Sequence, residues 1–213
     1  MQNSTANCPL CNSKSNTFYK QNDRCFFQCT TCYGIFLDKE LRLNQDKEII
    51  RYKLHKNDIE DKNYQQFVSP ITSSVLEDFT EKHKGLDFGA GTGPVISKVL
   101  NDNDYQIVQY DPFFHNNINL LESTYDYIAC CEVIEHFYNP KKEFNLLKKL
   151  LKPNGKLYLM TALFDETIDF NKWYYKNDPT HVYIYHQKTI HWIKKKFDFS
   201  EVTIKGRLIT YSS

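Results

Sequence analysis

The chain has 213 residues, 41% of them hydrophobic and 25% charged, a composition that fits one medium globular domain, with or without a small appendage. Its 27 Lys and Arg against 26 Asp and Glu leave a net charge of +1, which gives no field for non-specific nucleic-acid binding. No apolar run approaches a bilayer span, and the start, MQNSTANCPL, has neither the basic nor the apolar region of a secretory signal. The expected compartment is therefore the cytoplasm, with no membrane contact, where seven cysteines serve as thiols or metal ligands and not as disulfides.

The first predicted element is a pair of C-x2-C knuckles, Cys8 with Cys11 and Cys29 with Cys32, at the spacing of a four-cysteine zinc site. Each knuckle presents two thiolates to one tetrahedral ion. TFYK and RCFFQ supply the strands of the hairpin between them, with Gln21-Asn22-Asp23 as its turn. About forty residues cannot bury enough apolar surface to fold alone, so a metal is needed to hold them. Four cysteine ligands leave no open position, so the zinc is expected to be structural. Cys25 falls outside the pattern and reads as a packed side chain. The ribbon is assigned to residues 1–37.

Residues 38–83 read as one or two helices linking the ribbon to the main domain. Leu41, Leu43, Ile49, Ile50 and Leu54 form an imperfect helical stripe; Phe67, Ile71, Val75, Leu76 and Phe79 form a cleaner one. Pro70 is expected near a helix start. The polar turn HKNDIEDKNY is placed to cover a site, with His55 and Asn57 as lid candidates.

Residues 84–94, KGLDFGAGTGP, place three of the chain's seven glycines within five positions. Glycine is weak in helix and strand, so the cluster marks a tight turn or a close approach. GLDFG reads as a strand and PVISKVL as a helix, which makes the cluster a strand-to-helix turn aiming backbone N–H groups at an anion. A second strand, QIVQY, ends at Asp111, whose carboxylate can accept from both hydroxyls of a ribose. A nucleoside-bearing cofactor is implied. The dinucleotide fingerprint G-x-G-x-x-G fails, because Pro94 stands where the third glycine belongs.

What stands instead is D-x-G-x-G-x-G, with Asp87, Gly89, Gly91 and Gly93. This resembles motif I of the class I S-adenosylmethionine-dependent methyltransferases. YDPFF then places Asp111 and Pro112 at the end of strand two. YDYIACCEVIEHFYNP resembles the family's fourth-strand motif, and LLKKLLKPNGKLYLMTAL its helix, P-x-G turn and fifth strand. The resemblance covers about residues 84–211. With the ribbon, the YDPFF segment and a late DPTHV, the whole chain is similar to a bacterial subgroup that carries an N-terminal four-cysteine zinc ribbon.

The resemblance implies an α/β fold over residues 84–213, a Rossmann-like methyltransferase sheet with helices on both faces. It implies S-adenosylmethionine as cofactor, held by Asp87, Gly89, Ala90, Gly91, Gly93, Asp111, Pro112, Cys131 and Glu132. One departure stands out. Only fourteen residues separate Asp111 from Asp126, too few for the family's usual helix, third strand and helix, so an abbreviated third strand is expected at INLL.

Catalytic candidates follow from placement. Ligands bind beyond the carboxyl ends of such strands, where YDYIAC delivers Cys131, Glu132, Glu135 and His136. His136 is a candidate base or substrate-orienting group. In WYYKNDPTHVYIY, Asp178 and His181 lie three apart in an aromatic loop, as a base and its orienting carboxylate would. His186 and His191 are expected on a helix surface, and Lys194 to Lys196 on a solvated face. The methyl acceptor reads as an unidentified small molecule or side group. Two alternatives stay open: a ribosomal RNA base methyltransferase, since a family of rRNA guanine methyltransferases also carries an N-terminal zinc module, and a cofactor-binding scaffold without activity.

Overall fold

The computed structural model describes residues 5–21, 24–54 and 57–213. The predicted turn residues Asn22 and Asp23 and the lid candidate His55 therefore lie outside the described residues. The N-terminal strands are β1 (Thr5–Asn7), β2 (Lys14–Gln21), β3 (Arg24–Cys29) and β4 (Ile35–Leu37). Helices α1 (Gln45–Lys53) and α2 (Lys62–Asp78) follow. Then come β5 (Lys84–Phe88), α3 (Val95–Asn101), β6 (Gln106–Tyr110), β7 (Tyr125–Cys131), α4 (Pro140–Leu150) and β8 (Leu151–Met160). The chain closes with β9 (Tyr183–Ile184), α5 (Gln187–Lys196), β10 (Glu201–Lys205) and β11 (Leu208–Ser212).

The larger sheet has the order β10-β11-β8-β7-β5-β6. Strands β6, β5, β7 and β8 are parallel, and β11 runs antiparallel between β8 and β10. Alternation along the strands divides the core. Leu157 and Leu159 of β8 join Phe144 and Leu147 of α4 and Ile190 and Ile193 of α5 on one face. Tyr158 and Met160 join Val68, Ile71 and Val75 of α2 and Val95, Ile96 and Leu100 of α3 on the other. Period-two strands between period-3.6 helices thus bury both faces, as a mostly parallel sheet requires. Chain order reverses between β5 and β7, which fixes the binding crevice at their carboxyl ends.

Three expectations are corrected. The INLL segment is not a strand: Ile118–Glu122 is a short 3-10 turn capped by the Asn117 side chain, and β6 is the edge of the sheet. A connection this short lets Leu120 and Leu121 pack against the core but cannot lay a further strand along β6. Pro70 sits inside α2, which starts eight residues earlier at Lys62 under an Asp61 cap; Val68, Ile71, Thr72 and Val75 are its buried face, while Phe67 is exposed. His186 is no surface residue: it is buried at the start of α5, where its Nδ1 accepts from the Lys188 N–H.

α1 inverts its predicted stripe. Ile50 is 61% and Leu54 65% exposed, whereas the buried residue is Glu48. The helix docks by its polar face. Glu48 accepts from Tyr52 at 2.7 Å, and Arg51 reaches Asp178 at 2.7 Å.

The smaller sheet, β1-β2-β3-β4-β9, does not stop at residue 37. β4 pairs with β9, so residues 183 and 184 extend the N-terminal sheet. Phe26, Ile35 and Leu37 pack with Phe164, Phe170, Val182 and Ile184 beneath it. Among the described residues, no helix is long and apolar enough to cross a membrane.

Candidate active site and cysteine cluster

The glycine turn leaves β5 with Gly89 at φ +82° and Gly91 at φ +62°, backbone that a Cβ would strain. A Cβ on Gly89 would also meet Val133 at 2.5 Å, while nothing lies within 4 Å of the one Gly91 would carry. Gly91 therefore faces open space, the room a ligand backbone-cradle needs. Gly93 abuts Asn57, whose Cβ lies 2.6 Å from where a Gly93 Cβ would stand, so the segment between α1 and α2 covers the turn. Gly89 and Ala90 both donate to the Tyr110 carbonyl, which ties the turn to β6.

Asp111 is buried at the end of β6. One carboxylate oxygen accepts from Gly91 N at 3.0 Å, the other from Phe113 N at 2.8 Å and Phe114 N at 3.0 Å. It thereby links the glycine turn to the YDPFF turn, with Pro112 exposed between them. Asp87 faces away from the turn: its carboxylate accepts from Ser97 Oγ at 2.8 Å and Ser97 N at 3.3 Å in the first turn of α3. Burial pushes its pKa up to about 6, against the lowering effect of Ser97.

β7 ends at Cys131, whose thiol burial pushes up. Glu132 follows at φ +52°, an uncommon conformation for a side chain of its size, held by its N–H to Met160 O and by Arg207 Nη2 at 2.5 Å. Burial and the neighbouring Glu135 push the Glu132 carboxyl up to about 8. Glu135 is fully buried; it accepts from the Tyr175 hydroxyl and, at 3.2 Å, from Thr161 Oγ1.

His136 and His181 come together, their ring centroids 4.9 Å apart. His136 Nδ1 lies 2.9 Å from Thr180 O, and His181 Nδ1 lies 2.7 Å from Tyr175 O. Backbone bonds lace the two segments: Val182 N–H donates to Glu135 O, and the Tyr185 hydroxyl to Ile134 O. Burial and the nearby His136 pull His181 down to about 4, so its ring is neutral near pH 7.

Asp178 lies in the same loop but does not orient His181. Its carboxylate accepts from Arg51 Nη2 at 2.7 Å and from Thr180 Oγ1 at 2.6 Å. Arg51 and Thr180 hold it well below the usual carboxylate range against the opposing effect of burial. The orienting acceptor for His181 is the Tyr175 carbonyl. Sequence reasoning missed Arg51, Tyr52 and Thr161 here, because single side chains carry no spacing signal, and it read Tyr175 only as one of the rings around the loop. Tyr52 bridges the site: its ring lies 6.0 Å from Phe113, beside Asp111, and 5.3 Å from His136.

In the small sheet, one ligand atom from each of Cys8, Cys11, Cys29 and Cys32 falls within 4.8 Å of the others. Cys8 and Cys32 sulfurs stand 3.5 Å apart, Cys11 and Cys29 sulfurs 3.3 Å. Four sulfurs about 2.3 Å from a tetrahedral zinc would stand about 3.8 Å apart, so the donor set fits such an ion. Cys25 is not part of the cluster.

A family profile described as "Methyltransferase domain" matches residues 61–204. The curated ubiquinone biosynthesis O-methyltransferase of Histophilus somni (strain 2336) is 34% identical over 58 residues, 27% of this chain. That match spans 24% of the enzyme's own length. Among solved structures, an O-methyltransferase family protein from Burkholderia thailandensis superposes with a TM-score of 0.52 at 11% identity, covering 79% of this chain and 62% of that one. A SAM dependent methyltransferase from Archaeoglobus fulgidus gives 0.52 at 18% identity, covering 65% and 71%. At these identities the likeness is one of fold. By its profile match the chain belongs to the methyltransferase domain family, and it shares the fold of the S-adenosylmethionine-dependent methyltransferases it superposes on.

Proposed function

We propose that the protein transfers a methyl group to a hydroxyl of a small molecule, within a cleft between the glycine turn and the two histidines. The observation that carries this reading is the bridge made by Tyr52, which touches the Asp111 turn on one side and His136 on the other. It supports one shared cleft at the carboxyl edge of β5 and β7. The acceptor chemistry rests on the sequence relative, an O-methyltransferase by name.

When bound, S-adenosylmethionine supplies a methyl group already activated on a sulfonium, so positioning does most of the remaining work. Gly89, Ala90, Gly91 and Gly93 give the backbone cradle, and Asp111 the acceptor for ribose hydroxyls, with Pro112 rigidifying its turn. Asp87 acts from behind, fixing α3 to the turn through Ser97. Cys131 and Glu132 line the far wall. His136 and His181 would receive the acceptor hydroxyl, and a neutral imidazole there can orient or remove its proton. Asp178 pins the loop that carries His181 to α1. Nothing in the charge balance supports an RNA substrate.

We further propose that the four cysteines hold one structural zinc, and that the chain belongs to the ribbon-bearing subgroup. Tyr183, whose hydroxyl lies 3.5 Å from both Cys8 and Cys32 sulfurs, would donate to the thiolates.

The test of methyl transfer is incubation with isotopically labelled S-adenosylmethionine and a panel of phenols, catechols, amines and thiols. Label is expected in hydroxyl acceptors. Label confined to amines or thiols would contradict the acceptor assignment.

A further inference from the structure

We propose that Glu135, His136 and His181 form a second metal site, for a first-row divalent transition metal, at the acceptor end of the cleft. It is separate from the four cysteines. One ligand atom from each of the three residues lies within 4.8 Å of the others. Bonds of about 2.0–2.2 Å to a common ion need separations of roughly 3–4 Å, so small side-chain rotations close the set.

The orientation of the donors argues more strongly than their proximity. A carbonyl oxygen only accepts, so Nδ1 of His136, against Thr180 O, carries the ring hydrogen. The same holds for Nδ1 of His181 against Tyr175 O. In a neutral ring held this way Nε2 is the lone-pair nitrogen, the form that ligates. Glu135 is fixed in turn by Tyr175 and Thr161 hydroxyls. Metal-ligating histidines and carboxylates are oriented by such outer partners, and here all three ligands have theirs. Tyr175 serves two of them at once, its hydroxyl on Glu135 and its carbonyl on His181.

Charge points the same way. Glu132 and Glu135 approach one another with Arg207 as the cation on Glu132. The guanidinium sits on half-buried Glu132, so fully buried Glu135 is the carboxylate whose charge a divalent cation would balance. Two imidazoles and one carboxylate favour zinc, manganese, iron or cobalt over calcium or magnesium.

Three protein ligands leave coordination positions for an acceptor oxygen. A hydroxyl bound there loses its proton to solvent more readily; its oxygen then bonds to the methyl carbon as the carbon–sulfur bond breaks, leaving a neutral thioether. This role rests on the methyl-transfer reading, whereas ion binding itself does not. An imidazole holding the ion is no longer the base, so the two roles of His181 are exclusive.

Manganese(II) tests the site, because it avoids the thiolate cluster. The full chain, its cysteine site loaded with zinc, is titrated with manganese(II) and followed by electron paramagnetic resonance, with S-adenosylhomocysteine titrated in parallel. One ion per chain is expected. His136→Gln and His181→Gln should each weaken it about 10- to 100-fold while cysteine-bound zinc and the melting temperature are retained. Tyr175→Phe, which keeps the carbonyl and both histidines, should weaken it less. No saturable manganese binding, or binding untouched by both histidine variants, overturns the site. Manganese binding without S-adenosylhomocysteine binding supports the site and instead removes the methyl-transfer reading.

Discussion

Asp87 shows how one side chain trades stability for position. It is 4% exposed, with Ser97 as its hydrogen-bond partner and Asp111 adding repulsion. A carboxyl raised from about 4 when unfolded to about 6 when folded holds its proton more tightly in the native state. Its contribution is therefore fully present below about pH 4 and is lost as pH rises through 6, a cost of about 3 kcal/mol by pH 7. Asp87→Asn keeps an acceptor for Ser97 without the charge. Denaturant unfolding from pH 4 to pH 7 should show the variant gaining on the wild type by up to about 3 kcal/mol. A constant difference across that range would mean that Asp87 titrates as an ordinary carboxylate.

At the scale of elements, α1 and the small sheet decide how the site is closed. A stripe reading of α1 looks for apolar residues facing a core. The helix instead packs against polar groups, with Arg51 on Asp178 and Tyr52 on His136, so Glu48 is buried while Ile50 and Leu54 are exposed. The pattern was present in the sequence, but its sign depends on polar neighbours that only tertiary structure supplies. β9 was invisible for a similar reason. Two residues carry no periodic signal, and their pairing with β4 spans about 150 positions. That pairing connects the cysteine cluster to the histidine loop, since Tyr183 comes two residues after His181. Zinc removal by a chelator should thus raise amide exchange in residues 178–186 as well as in the ribbon. Exchange confined to residues 8–37 would show that the cluster does not hold the loop. Tyr183→Phe should weaken zinc retention against a chelator by about tenfold or more.

For the whole molecule, the parts legible beforehand were those with local grammar. Doubled C-x2-C spacing, three glycines at a strand end and an acidic residue after the next strand each have a mechanical reason to sit where they do. The missing strand beyond β6 was half legible: the count from Asp111 to Asp126 showed that something had to shorten, not that Ile118–Glu122 would abandon strand geometry. His136 and His181 were each read as catalytic candidates, yet their close approach, their orienting carbonyls and the diversion of Asp178 to Arg51 depend on side chains that no spacing encodes. The central claim is that the glycine turn and Asp111 hold the cofactor. Isothermal calorimetry with S-adenosylhomocysteine tests it most directly, on the wild type and on Asp111→Asn, which keeps an acceptor for the Gly91 N–H. One site with a dissociation constant on the order of micromolar is expected, weakened by about 1.5–3 kcal/mol in the variant. No binding to the folded wild type, or equal affinity in the two proteins, would contradict it.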